Sequence, residues 1–208
     1  MKKVIAGMLA FSLLSTAVSA EVVNESQTVT NRTGAYIGLD LFQGETAAEM
    51  DISGSFTGSA EKDFDQDGFR LKLGKTDQNN TRYQVYFKSE DTDEFFDENV
   101  YGLGMDVMKA FPLSNNDLQA FILGGVSLDW TELEDDGVDY SEDSLNAFAF
   151  KLGLGALYRL NDTIEVVAGY DWQYRSWQEI TFVGAGGSVD VKQEDTSKTF
   201  YAGLNFYF

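Results

Sequence analysis

Eight separate stretches of this chain read as strands, seven of them with apolar and polar residues alternating one by one, and the last runs to the final residue. The stretches are 35–41, 69–74, 82–88, 101–107, 118–130, 150–156, 164–173 and 200–208. In 35–41, Ala35, Ile37, Leu39 and Leu41 share one side while Gly38 and Asp40 share the other. A period of two places successive side chains on opposite faces of a strand, whereas a helix would need a period near 3.6. The stretch 118–130 is apolar on both faces, so its register stays open. Eight such strands in sequence predict an all-β, antiparallel up-and-down meander, and an even number of antiparallel strands can close into a barrel without free edges.

The first twenty residues follow a different rule. Met1-Lys2-Lys3 is basic, residues 4–14 are almost unbroken apolar, and Val18-Ser19-Ala20 offers small residues before Glu21. These are the three parts of a secretory signal peptide, with cleavage expected between Ala20 and Glu21. The apolar run is too short for a spanning helix, which needs about 20 residues. Residues 21–32 then read as a polar lead-in, and 33–208 as the barrel.

Which face of the strands points inward decides between two classes of barrel. A soluble barrel turns its apolar face in, and a membrane barrel turns it out toward lipid. Here one face carries large aliphatic and aromatic groups. The other carries Gly, Asn and charges of both signs: Arg70, Lys72, Arg82, Lys88, Lys151 and Arg175 against Asp106, Glu165 and Asp171. An eight-stranded lumen is only wide enough to be filled by side chains, which suits glycines and a lumenal charge network. Folding strands six and seven about Asn161 sets Lys151 opposite Asp171, and such pairing offsets the cost of burying either charge alone. A soluble sandwich with solvated charges is the competing reading, and the leader and the terminal strand count against it.

The leader, the eight alternating strands and the closing Thr199-Phe200-Tyr201-Ala202-Gly203-Leu204-Asn205-Phe206-Tyr207-Phe208 together resemble the small eight-stranded outer-membrane β-barrels of Gram-negative bacteria. That group includes the membrane domain of outer membrane protein A and the opacity-type barrels. The resemblance implies a transmembrane β-barrel in the cell outer membrane, among outer-membrane lipid and lipopolysaccharide. It also implies that Phe206 and Phe208 carry the signal for the barrel-assembly machinery.

Connections alternate in length. Short ones fall at 74–81, 111–117 (with the only proline, Pro112) and 159–162, and long ones at 45–67, 89–99, 131–144 and 176–197. Membrane barrels have short periplasmic turns and long external loops, so both chain ends are expected on the periplasmic side. Residues 163–183 keep strand texture for twice the roughly 10 residues that cross a bilayer. The surplus should form a ribbon above the membrane exposing Trp177, Ile180, Phe182, Val189 and Val191. It would either accept a partner strand or pack across the barrel mouth. Tyr101, Trp130, Tyr158, Trp172, Tyr174 and Phe208 suit a membrane-interface girdle, with sugar stacking an alternative for Trp130 and Trp177.

Charge and missing residue types narrow the function. The chain has 34 acidic and 15 basic residues, a net charge of -19, and neither His nor Cys. Such acidity opposes a nucleic-acid surface. Without His or Cys there is no catalytic triad, imidazole base, thiol nucleophile or thiolate metal site. No cofactor is expected. Most of the acidic residues fall in the long connections, where they favour solubility or bridging by Ca²⁺ or Mg²⁺. Asp63-Phe64-Asp65-Gln66-Asp67-Gly68 looks like the start of an EF-hand loop, but Gly74 stands where the bidentate Glu belongs. Asp63, Asp65 and Asp67 therefore remain only as carboxylate metal candidates. The expected role is a monomeric, non-enzymatic barrel with a structural or cell-surface (adhesion or protection) function. A narrow channel lined by Gly102, Gly104, Gly153, Gly155, Gly169 and Gly203 is the alternative.

Overall fold

The computed structural model describes residues 33–55, 57–92, 99–113, 117–132, 144–184 and 187–208, with the backbone alone for 182–184 and 187. The leader and lead-in, residues 1–32 with Ala20 and Glu21, lie outside the described residues. Nine strands follow one another among the described residues: β1 (Gly34–Gly54), β2 (Gly58–Thr76), β3 (Thr81–Thr92), β4 (Val100–Pro112), β5 (Leu118–Glu132), β6 (Ser144–Arg159), β7 (Ile164–Trp177), β8 (Ile180–Gly184) and β9 (Gly187–Tyr207). Each neighbour pairs antiparallel, and β9 pairs with both β7 and β1. The ring β1-β2-β3-β4-β5-β6-β7-β9 is therefore closed, which satisfies every strand's backbone polar groups on both sides within it. The ninth element arises because the predicted seventh strand is interrupted at Gln178 and Glu179. Gln178 N donates to Asn146 O at 2.8 Å, and the strand resumes as β8, which pairs only with β9.

Short turns close one end of the ring. In the turn before β3, Asp77 Oδ1 accepts the backbone N–H of Asn79 at 2.8 Å and of Thr81 at 2.9 Å, while Asn80 takes a left-handed φ of 56° that asparagine tolerates. In the turn before β7, Asn161 Oδ1 accepts N–H groups from Thr163 and Ile164, both at 2.8 Å.

The other end corrects the expected loop at 45–67. Pairing between β1 and β2 continues unbroken out to Ile52 and Gly58, so most of that segment is strand. The extension of β1 also pairs with β9 as far as Gly54 and Val189. The ribbon expected from the last hairpin alone is thus a four-stranded sheet, in the order β8-β9-β1-β2. Strand β1 runs 21 residues, about 70 Å at 3.3–3.4 Å per residue, whereas β3 runs 12 residues, about 40 Å. One side of the wall therefore projects as a blade beyond the other.

Candidate functional site: the charged lumen

The inward face of the ring holds three tiers of charge. Nearest the short turns, Arg82 donates to both oxygens of Glu165 at 2.6 and 2.9 Å, and Asn205 Nδ2 donates to the same carboxylate at 3.0 Å. A fork-to-fork Arg–carboxylate pair is among the strongest hydrogen-bonded arrangements available. The middle tier contains three cations and three carboxylates. Lys72 Nζ lies 2.6 Å from Asp40, Arg70 Nη2 lies 3.1 Å from Asp171, and Lys151 Nζ lies 3.0 Å from Asp106. The Arg70 guanidinium also sits among the rings of Tyr86, Tyr201 and Phe42, at 5.1, 5.3 and 5.7 Å from their centroids. Gln84 links these two tiers, accepting from Tyr36 and donating to Asp106, each at 2.8 Å.

The third tier sits at the mouth. Lys88 reaches Glu90 and Asp129, both at 2.9 Å, and Arg175 reaches the same two acids, also at 2.9 Å. Asp195 is the third acid here, 3.8 Å from Arg175, and it accepts the indole N–H of Trp177 and an amide N–H of Gln193. Two cations thus face three carboxylates. Burial pushes the Asp195 carboxyl above its usual range, opposed by Arg175 and by the two donated hydrogen bonds. Beside the tiers, an apolar cluster of Met108, Ala110, Phe121, Leu123, Leu157 and Val167 fills the β4–β7 side of the lumen.

Glycines make this crowding sterically possible. Tyr36 stands directly across from Gly74, Tyr86 from Gly104, Tyr201 from Gly169 and Phe121 from Gly155. A Cβ added at any of these glycines would collide with the ring of its partner. Carboxylates use the same sockets: Asp40 is opposite Gly203, Asp106 opposite Gly125, Asp129 opposite Gly102 and Asp171 opposite Gly153. One oxygen of Asp129 and one of Asp171 lack a hydrogen-bond donor and lie against the facing glycine, whereas the Asp106 oxygen against Gly125 is the one 3.0 Å from Lys151 Nζ. Gly102, Gly104, Gly153, Gly155, Gly169 and Gly203, expected to line a path, are instead covered by side chains from the adjoining strand.

Every residue of the expected lumenal network, Arg70, Lys72, Arg82, Asp106, Lys151, Glu165 and Asp171, is buried. The pairing differs from expectation. Strands β6 and β7 align Lys151 with Gln173 and Gly153 with Asp171, so Lys151 takes Asp106 as its nearer partner and lies 4.0 Å from Asp171. The expected fold point at Asn161 was one residue early, which displaces the register by two. Asp40, Lys88, Glu90, Asp129, Arg175 and Asp195 complete the tiers. Of these, Asp40 lay on the inward phase of its stretch, Asp129 in the stretch of open register, and Glu90 and Asp195 in supposed loops. Trp177 is a further correction. It is 3% exposed, packed with Val100, Leu145, Ala147 and Ile180 in the mouth instead of standing free on a ribbon. It is therefore no external sugar platform. Asp63, Asp65 and Asp67 lie in a row on the outer face of β2, two residues or about 7 Å apart. Among the described residues no three acidic groups are arranged to hold a metal ion.

The outside of the ring is apolar. Leu41, Leu103, Leu128, Leu154 and Phe200 are each more than half exposed. Phe69, Phe87, Tyr101 and Trp130 form a continuous aromatic row across β2 to β5, with neighbouring ring centroids 6.1–6.4 Å apart. Phe206 and Phe208 also face outward, Phe208 with 82% exposure. Buried charges inside and bare hydrocarbon outside invert the arrangement of a soluble protein, and they define a β-barrel that sits in lipid.

The outer membrane protein beta-barrel domain family matches residues 6–208, and the chain belongs to that family. It is a Gram-negative outer-membrane protein. Among solved structures it resembles Neisserial surface protein A, at 18% identity and a TM-score of 0.51 over 86% of this chain and 100% of that one. It also resembles the outer membrane protein OprG from Pseudomonas aeruginosa, at 13% identity and a TM-score of 0.57 over 88% of this chain and 99% of that one. Likeness at these identities is a likeness of fold. No curated protein matches the sequence.

Proposed function

We propose that this protein is a closed, non-enzymatic barrel with a structural and cell-surface interaction role, presenting its blade outside the cell. The observation that carries this reading is the filled lumen. Three tiers of paired charge, with ring-on-glycine packing between them, leave the ring's interior to side chains. The absence of His and Cys from the sequence supports a non-catalytic role, because neither an imidazole base nor a thiolate is available. The blade supports a surface role, since its outer face carries Glu45, Glu49, Asp51, Glu61, Asp63 and Asp65 beyond the apolar band. Outer-membrane lipid and lipopolysaccharide surround the ring on this reading, the barrel-assembly machinery reads Phe206 and Phe208, and the protein acts as a monomer.

Two measurements test it. In planar bilayers the purified protein should give no resolvable conductance, and steady channels would favour transport instead. Cells that display the protein should show a more negative electrophoretic mobility and altered attachment compared with cells that lack it. Identical behaviour of the two strains would remove the surface role.

A further inference from the structure

At the short-turn end of the wall, the outward apolar ladders of two strands each reach a lysine. On β2 the outward series Phe69, Leu71, Leu73 finishes with Lys75, and on β4 the series Leu103, Met105, Val107 continues to Lys109. Strand β3 lies between them. Its Tyr83 pairs with Lys75 on one side and Val107 on the other, and Thr81 pairs with Lys109. The two lysines therefore flank one strand, two strand spacings apart across the sheet and two residues offset along it, about 12 Å in all. Among the described outward-facing strand residues of this end, they are the only charged ones. Its other outward strand residues include Phe111, Tyr158, Ile164, Phe206 and Phe208, and the turns of the same end carry Asp77, Asp117 and Asp162.

Their chemistry fits a lipid phosphate. Lys109 Nζ donates to Asn79 O and lies 3.4 Å from Thr81 Oγ1, which holds the ammonium at the rim and leaves the third of its donors without a partner among the described residues. Lys75 is exposed and has no ionic partner among the described residues. Tyr83, 54% exposed between them, offers a phenol at the same level. Immediately toward the membrane centre lie Leu73, Val85, Val107 and Met105, an uninterrupted hydrocarbon surface for acyl chains. We propose that Lys75, Lys109 and Tyr83 form a seat for an anionic glycerophospholipid, with its phosphate between the two ammonium groups and its chains on the wall above. This proposal rests on the orientation in which the short turns face the periplasm, where the adjoining leaflet is phospholipid.

The test is retention of phosphatidylglycerol against phosphatidylcholine of the same acyl chains by the purified full-length barrel, read by native mass spectrometry. A lysine near an anionic headgroup is worth about fivefold in partitioning. The wild-type protein should therefore favour phosphatidylglycerol about tenfold or more. K75Q/K109Q should bring the ratio close to one while the heat-modifiable folded band is kept, and Y83F should reduce it slightly. K192Q/K198Q, on the opposite side of the membrane band, should leave the ratio intact and so serves as the control. No preference in wild type, a preference that survives in K75Q/K109Q, or one lost equally in K192Q/K198Q would each overturn the seat. Displacement of the lipid by millimolar inorganic phosphate would make it a free-anion site and overturn the lipid assignment. The orientation is read separately: a cysteine at position 75 should react with an impermeant maleimide only in permeabilised cells. Reaction in intact cells would overturn the orientation without touching the lipid preference.

Discussion

Strand β1 passes through two regions that obey opposite rules. In the ring, its outward residues are Ile37, Leu39 and Leu41 and its inward residues include Gly38, Asp40 and Phe42. In the blade, its outward residues are Glu45, Ala47, Glu49 and Asp51, and its inward residues are Thr46, Ala48, Met50 and Ile52. The same inversion occurs on β2, between Phe69 and Asp67, and on β9, between Phe200 and Lys198. The ring has hydrocarbon outside and a packed polar lumen inside. The blade has water outside, and it shelters its apolar side over the mouth, where Ile180 packs on Trp177, Val100, Leu145 and Ala147. The level where the two faces exchange polarity marks a boundary of the membrane, set by solvent alone because the backbone pairing runs through it unbroken.

The two regions should respond to substitution very differently. The largest effects belong to the sockets of the ring. Gly104→Val or Gly169→Val would drive a side chain into the Tyr86 or Tyr201 ring and toward facing backbone carbonyls, and should abolish the heat-shifted folded band on electrophoresis. Next comes the middle tier. Asp106→Leu leaves Lys151 without its nearest partner and should cost about 3–5 kcal/mol in urea unfolding, because it strands a buried charge. The double variant Asp106→Leu/Lys151→Leu should recover most of that loss, and a double-variant cost equal to the sum of the two single-variant costs would show that the pair is not coupled.

The mouth should be intermediate. Trp177→Phe keeps most of the packing but deletes the N–H donated to Asp195, for about 1–2 kcal/mol. The Asp195 carboxyl is raised by burial, so its contribution is fully present below the ordinary carboxylate pKa and is lost as pH rises through the raised value. Stability should therefore fall with rising pH across that interval in wild type, and Asp195→Asn should flatten this part of the profile. An unchanged profile would assign the dependence to another group. The smallest effect belongs to the blade's outer face. Glu49 stands directly across from Glu61 on one side and Glu194 on the other, so Glu49→Gln should be neutral or stabilising, within about 0.5 kcal/mol. A separate readout concerns assembly: Phe208→Ala should lower the amount of folded protein in outer membranes while leaving the refolded barrel's unfolding midpoint close to wild type.

The contrast between the regions also explains what could be read from the chain. Where lipid and a crowded lumen act on opposite faces, as at 35–41 or 200–208, period-two alternation is strong and both strand and face are legible. Where the solvent changes, the strand continues but its pattern reverses phase. Residues 45–67 consequently read as an acidic loop although almost all of them are paired. The charged lumen was legible in kind, because charges of both signs fell on the glycine face. Its pairings were not, since a one-residue error in the turn at Asn161 moves Lys151 from Gln173 to Asp171. The mouth tier was hidden for a different reason. Glu90 and Asp195 lie beyond the membrane band, and only tertiary placement brings them to Arg175. Gly–Tyr and Gly–Asp opposition across strands is likewise invisible until the register is known.

Residue-by-residue solvent access along the outward face of β1 tests the exchange of polarity most directly. The protein has no cysteine, so single cysteines at 37, 39, 41, 43, 45, 47 and 49 can carry a spin label without background. In lipid bilayers, collisions with oxygen should dominate at 37, 39 and 41, and collisions with a water-soluble nickel chelate should dominate at 45, 47 and 49, with the crossover near 43. Oxygen dominance through 49, or nickel access at 37–41, would contradict the placement of the membrane and with it the inside-out ring on which the account depends.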